Sequence, residues 1–272
     1  MESGAAVAAI RSALAVGELR PWYQPIVELA TGRLVGAEAL VRWHRGTGVV
    51  EAPNSFLPLA ERSDLVLDID RTILAQALAD LVRWQQVRAD FRVSVNLSGR
   101  HLDQPGLVTE VDAAAAMAGV APQSIDLEVT ETTGPADLEV AAEVLAGLAT
   151  RGYTIWLDDF GSGWSSLQHL VSLPVGGVKL DRSFASRLGT RMGDAVIAGL
   201  ATAADRAGFA MILEGIEHAS QVEQARALGC RYGQGYHWSR PCPPEELLAM
   251  IQNPPVASHR PPAGQAAGGT RT

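Results

Sequence analysis

Apolar and polar positions along this chain follow two rhythms. Short runs rich in β-branched and aromatic residues read as strands at 22–27, 34–41, 91–96, 125–130, 154–157, 178–180, 211–214 and 232–234. Longer Ala/Leu/Arg/Glu stretches with helical spacing separate most of them, at 70–86, 107–118, 137–150, 194–207 and 221–228. A strand followed by a helix, repeated, is the unit of a parallel sheet. About eight such units in a chain of this length favour a TIM-type α/β barrel over an open sheet. One joint departs from the rhythm. Only Ala30-Thr31-Gly32-Arg33 links the first two strands, too little chain for a crossover helix, so these two must pair antiparallel. The Ala/Val-rich stretch at 5–16 reads as a further helix. Apolar periodicity fades near Asn253, where Pro, Gly and Ala take over, so the pattern predicts one folded domain over 1–252 and a disordered tail over 253–272.

Composition narrows the classes of function. With 47% hydrophobic residues in 272, the chain can bury a large core. A net charge of −8 argues against DNA or an anionic membrane as a non-specific partner. A small anionic ligand stays compatible, provided cations or local arginines screen the carboxylates. Cys230 and Cys242 cannot by themselves form a disulfide framework or a structural zinc site. The six histidines show no ligand spacing. No apolar run approaches the roughly 18 residues of a membrane span. Glu2 stands where a signal peptide would carry positive charge, so a cytoplasmic location is expected. One lysine, Lys179, stands among 22 basic residues.

Polar residues gather at the ends of the predicted strands. Glu38 lies near the end of the second and Asn96 ends the third; Glu128 sits in Leu127-Glu128-Val129-Thr130-Glu131. Asp158-Asp159 follow Ile155-Trp156-Leu157, Lys179 lies in Val178-Lys179-Leu180, Glu214 ends Met211-Ile212-Leu213, and Gln234 falls in the last strand. Seven successive strands thus place a carboxylate, amide or amine at the end where barrels assemble their sites. Any one of these alone is an ordinary cap or rim residue. Seven in register are not, because core-facing strand positions rarely hold charge unless it is paired. Converging carboxylates require a compensating cation, and hard oxygen ligands suit Mg²⁺ or Mn²⁺. The adjacent Asp158-Asp159 can serve two ions, and a pair of ions roughly 3.5–4 Å apart is the usual apparatus of phosphodiester hydrolysis. The stretch Asp159-Phe160-Gly161-Ser162-Gly163-Trp164-Ser165-Ser166-Leu167 then reads as a tight glycine loop that sets Asp159 on a metal.

These residues resemble the EAL-domain cyclic di-GMP phosphodiesterases. The likeness begins with Glu38-Ala39-Leu40-Val41-Arg42-Trp43 after Tyr23-Gln24-Pro25-Ile26. It continues through Asn96-Leu97-Ser98, Glu128-Val129-Thr130-Glu131, Asp158-Asp159-Phe160-Gly161 and Val178-Lys179-Leu180-Asp181. It closes with Glu214-Gly215-Ile216-Glu217 and Gly233-Gln234-Gly235-Tyr236. The resemblance implies a modified TIM (β/α)8 barrel with an antiparallel strand near the start, in agreement with the hairpin argument. It also implies hydrolysis of cyclic di-GMP to linear pGpG by a metal-activated water, with two ions of Mg²⁺ or Mn²⁺. On this likeness Glu38, Asn96, Glu128 and Asp158 hold one ion, and Asp158 with Asp159 reaches the second. Lys179 contacts the nucleophilic water, Glu214 serves as general base or water-network carboxylate, and Glu131 anchors the 159–167 loop. Gln24, Leu40, Arg42 and Gln234 contact the dinucleotide. A homodimer completes the expectation. Departures from the family pattern, at Gly176-Gly177, Leu213, Ile216 and His237-Trp238, remove no candidate ligand. The alternative within the same family is a catalytically silent domain that binds cyclic di-GMP or a protein partner as a sensor.

Overall fold

The structure, a computed structural model, describes residues 2–130, 138–162 and 170–253. Its strands are β1 Leu19–Glu28, β2 Arg33–His44, β3 Val50–Glu51, β4 Arg92–Leu97, β5 Ile125–Thr130, β6 Thr154–Phe160, β7 Gly177–Leu180, β8 Ala210–Leu213 and β9 Tyr232–Gln234. They run in the order β1-β9-β8-β7-β6-β5-β4-β2, and β1 pairs again with β2, so eight strands close a ring while β3 hangs on β2 outside it. β1 lies antiparallel to both of its neighbours. The other pairs of the ring are parallel.

The short 30–33 link does what its length dictates. β1 and β2 form a long hairpin from Leu19↔Trp43 to Glu28↔Arg33, and Gly32 supplies the left-handed turn residue at φ 70°. Each strand read from the sequence has a counterpart. β6, however, runs through Asp158-Asp159 to Phe160 rather than ending before them, and β8 stops at Leu213, leaving Glu214 just beyond. The two-residue β3 is too short to leave a periodic signal.

Helices cover the outside of the ring. In the helix Leu65–Gln85 the buried residues Ile69, Ile73, Ala77 and Leu81 recur every four positions, an apolar stripe against the sheet. Trp84 of that helix takes the edge of the Tyr23 ring at 4.6 Å, and the Tyr23 hydroxyl donates to Asp80 at 2.7 Å. The helix Leu107–Ala118 ends where Gly119 turns left-handed at φ 69°. Among the described residues no helix is long and apolar enough to cross a membrane.

Alternate residues of each strand face the axis. Midway along it lies Trp156, buried, with Ile26 and Ile212 packed on it. Its partner across the β6–β7 ladder is Gly177, and a Cβ at that position would stand 2.5 Å from the indole. At the strands' N-terminal end Arg92 pairs with Asp126 and donates to Thr154 Oγ1 at 2.7 Å, fastening three strands together. Above Trp156, toward the C-terminal end, the interior turns polar.

Candidate active site

Here successive strands deliver one charged or amide side chain each. Glu38 (β2), Asn96 (β4), Glu128 (β5) and Asp158 (β6) converge with Lys179 (β7), Glu214 (after β8) and Gln234 (β9). One carboxylate oxygen each from Glu38, Glu128 and Asp158 lies within 4.8 Å of the others, and the same holds for Asp158, Asp159 and Glu214. The two groups share Asp158. Asn96 Nδ2 donates to Glu38 Oε1 at 3.1 Å, and Gln234 Nε2 donates to Glu38 Oε2 at 2.7 Å and to Gln24 Oε1 at 3.2 Å.

Lys179 stands in the middle of this ring, 1% exposed. Its Nζ lies 2.9 Å from Glu38 Oε2, 3.0 Å from Glu128 Oε2, 3.1 Å from Asp158 Oδ1 and 2.7 Å from Glu214 Oε1. Burial alone would strip the amine of its proton, but the four carboxylates outweigh it and hold the group firmly as ammonium.

One ammonium cannot neutralise so many acids, and their protonation shows it. Burial pushes Glu38 upward too, yet the Lys179 charge and the bonds from Lys179, Gln234 and Asn96 bring it below the usual carboxylate range. Glu128 is driven well above that range by burial and by its neighbour Glu38. Burial raises Asp158 against the pull of Lys179, carries Glu214 to about 8, and together with Asp158 lifts Asp159 to about 6. Glu128 Oε1 is a buried acceptor with no hydrogen-bond donor. A crowded all-oxygen donor set with too little positive charge of its own fits hard divalent cations.

Asp159 has a second peculiarity. Its backbone lies at φ 53°, the one non-glycine residue with positive φ among those described. Through this kink Asp158 and its neighbour both reach the mouth, where strict alternation would have sent Asp159 away from it. Gly161 follows at φ 93°, and a Cβ there would collide with the Phe184 ring at 2.4 Å. The loop from Gly163 onward and Glu131, its expected anchor, lie outside the described residues.

A cavity of about 390 Å³ opens over the ring, lined by Gln24, Leu40 and Gln234 as well as by the acids. Arg42, the fourth expected substrate contact, does not line it. Its guanidinium donates to Val41 O at 2.9 Å and lies 5.8 Å from the Trp22 ring. Arg182, Tyr236 and Asn54 do line the cavity; Tyr236 closes the Gly233-Gln234-Gly235-Tyr236 motif, whereas nothing in the local pattern marked Arg182 or Asn54. Arg182 was discoverable only through Gly215: at φ 72° and with Arg182 Cβ 2.4 Å from where its own would be, that position admits glycine alone.

Fold and site together define a barrel protein with acidic clusters at its C-terminal mouth that could hold metal ions. Comparison with known proteins gives the family. The EAL domain matches residues 7–241, and the chain belongs to that family. It is 36% identical over 244 residues to the bifunctional diguanylate cyclase/cyclic di-GMP phosphodiesterase MucR of Pseudomonas aeruginosa, covering 89% of this chain and 36% of that protein. The chain spans little more than a third of the length of the curated relatives it matches. Among solved structures, the EAL enzyme Bd1971 with cAMP bound superposes with a TM-score of 0.86 at 33% identity, over 92% of this chain and 70% of the other. The MucR phosphodiesterase in complex with c-di-GMP superposes with a TM-score of 0.82 at 34% identity, over 89% and 99%.

Proposed function

We propose that the chain hydrolyses cyclic di-GMP to linear pGpG. The observation that carries this reading is the pair of carboxylate groups sharing Asp158, set in the mouth of an EAL barrel. Glu38, Asn96, Glu128 and Asp158 would hold one divalent ion, and Asp158 with Asp159 would reach a second, either Mg²⁺ or Mn²⁺. When bound, two such ions supply Lewis acidity that eases deprotonation of water and screens phosphoryl charge.

The protein's own residues account for the rest. Lys179 and Glu214 stand 2.7 Å apart, an ammonium that can orient a water and a carboxylate that can take its proton. The water oxygen bonds to phosphorus, one ester oxygen leaves with a proton, and the ring opens. Gln24, Leu40 and Gln234 line the cavity where a dinucleotide would lie, with Arg42 two residues beyond Leu40 on β2. Glu131 would anchor the 159–167 loop. The substrate, a nucleotide messenger of the cell interior, goes with a cytoplasmic location and, by the family likeness, a homodimer.

The test is direct. Purified protein is incubated with cyclic di-GMP and Mg²⁺ or Mn²⁺, and the products are separated by chromatography. pGpG should form, and Glu38→Ala or Asp158→Ala should abolish it. Tight binding without pGpG would assign the silent sensor instead, and neither binding nor turnover would sink the reading.

A further inference from the structure

Asn96 owes its place to the turn that follows it. Its strand ends at Leu97, and Ser98 opens the short helix Gly99–Leu102. A serine at this position ordinarily turns its hydroxyl back onto its own helix, but Ser98 makes no such cap. Both of its donors go elsewhere, to one oxygen on the long outer helix. Asp70 Oδ2 accepts the Ser98 N–H at 3.1 Å and the Ser98 hydroxyl at 2.7 Å, and His101 Nδ1 lies 3.2 Å from the same atom.

An acid stands on the other side of the turn. His101 Nε2 lies 3.3 Å from Glu110 Oε1, and Glu110 is gripped by Arg71 at 2.8 and 3.0 Å. Asp70 thus holds the turn from the long helix, while Arg71 beside it holds Glu110. Asp70 is 8% exposed and lines a cavity of about 280 Å³ together with Asn96, Glu38 and Asp158. A buried carboxylate on the wall of an already acidic site costs stability unless its bonds matter.

The geometry points to Asp70 as a positioning residue for Asn96. By fixing Ser98 it fixes the backbone two residues earlier, and with it the amide that bonds Glu38 and offers its oxygen to a cation. The inference rests on the proposed role of Asn96 as a ligand. Outer-shell partners of this kind typically contribute about 10–100-fold to metal affinity or activity.

Mn²⁺ binding is measured by titration calorimetry on wild-type protein and on Asp70→Ala, Asp70→Asn and Glu38→Ala, with steady-state kinetics alongside. Asp70→Ala should bind Mn²⁺ about tenfold more weakly. Its kcat should fall in step, while KM for cyclic di-GMP stays near wild type. Asp70→Asn keeps an acceptor oxygen for Ser98 and should recover most of the loss. Wild-type Mn²⁺ affinity in Asp70→Ala, or an equal loss in both Asp70 variants, overturns the inference. Should Asp70→Ala fail to fold by circular dichroism, Ser98→Ala decides. It deletes the hydroxyl donor alone, so weaker Mn²⁺ binding supports the inference and unchanged binding overturns it. If wild type binds no Mn²⁺, or Glu38→Ala binds it as well as wild type does, the proposed metal site itself fails.

Discussion

Lys179 reaches four carboxylates with one nitrogen from a buried position. A compact ammonium on a flexible stem can do this; a planar guanidinium, which pairs best side-on with a single carboxylate, cannot. Lys179→Arg should therefore lower kcat by about 10²-fold or more, the size of effect expected when a group poised for general acid–base work is lost. Near-normal turnover would make the chain's lone lysine an accident of composition. Asp159 presents the complementary case, in which the backbone is the scarce feature. A left-handed conformation costs a residue with a Cβ about 1–2 kcal/mol, a cost glycine escapes. Asp159→Gly should thus unfold in urea later than Asp159→Ala, by about 1 kcal/mol, although neither retains the carboxylate. Equal midpoints would mean that the loop relaxes around the alanine.

At the scale of elements, the interior of the barrel depends on β6 and β7 fitting as a pair. Trp156 fills the axis because Gly177 gives way to it. Gly177→Ala should cost about 1–3 kcal/mol by overpacking. In a Trp156→Leu background the same substitution should cost markedly less, and purely additive effects in that double-mutant cycle would show that the two sites do not couple. The eight barrel strands were legible in the sequence because short runs rich in β-branched and aromatic residues alternate with helical stretches, and the hairpin was legible because its link is so short. Strand ends were less so. The kink at Asp159 that keeps β6 running to Phe160 is a tertiary effect, and the local pattern stops before it. The acids of the site could be read off strand ends one by one. Their common attachment to Lys179 could not, since spacing along the chain does not say how many of these acids one lysine reaches. Arg182 escaped notice for a similar reason: it opens the short helix Arg182–Ala185, and only the closed ring carries that helix to the cavity.

For the whole molecule, the strands follow one another around the ring in chain order, so the ring must close where the last meets the first. β1 is made first and β9 last, yet they are neighbours, joined over three residues from Ile26↔Gln234 to Glu28↔Tyr232. β9 meets its other neighbour, β8, at two positions. The β1–β9 seam has the longest intervening chain, so its closure bears the largest loop entropy, and β9, held at three positions on one side and two on the other, is the strand whose release sacrifices the fewest pairings. Gln234 spans it, holding Gln24 and Glu38 on the far side. In native-state hydrogen exchange the amides of β9 should therefore lose protection before those of β4, β5 and β6, and uniform protection around the ring would contradict this. A chain that has folded only as far as β8 already owns Glu38, Glu128, Asp158 and Asp159 but has no closed wall for a substrate to lie against. Binding a dinucleotide across that seam would act as a clasp, so that occupancy by ligand and completion of the barrel become one equilibrium.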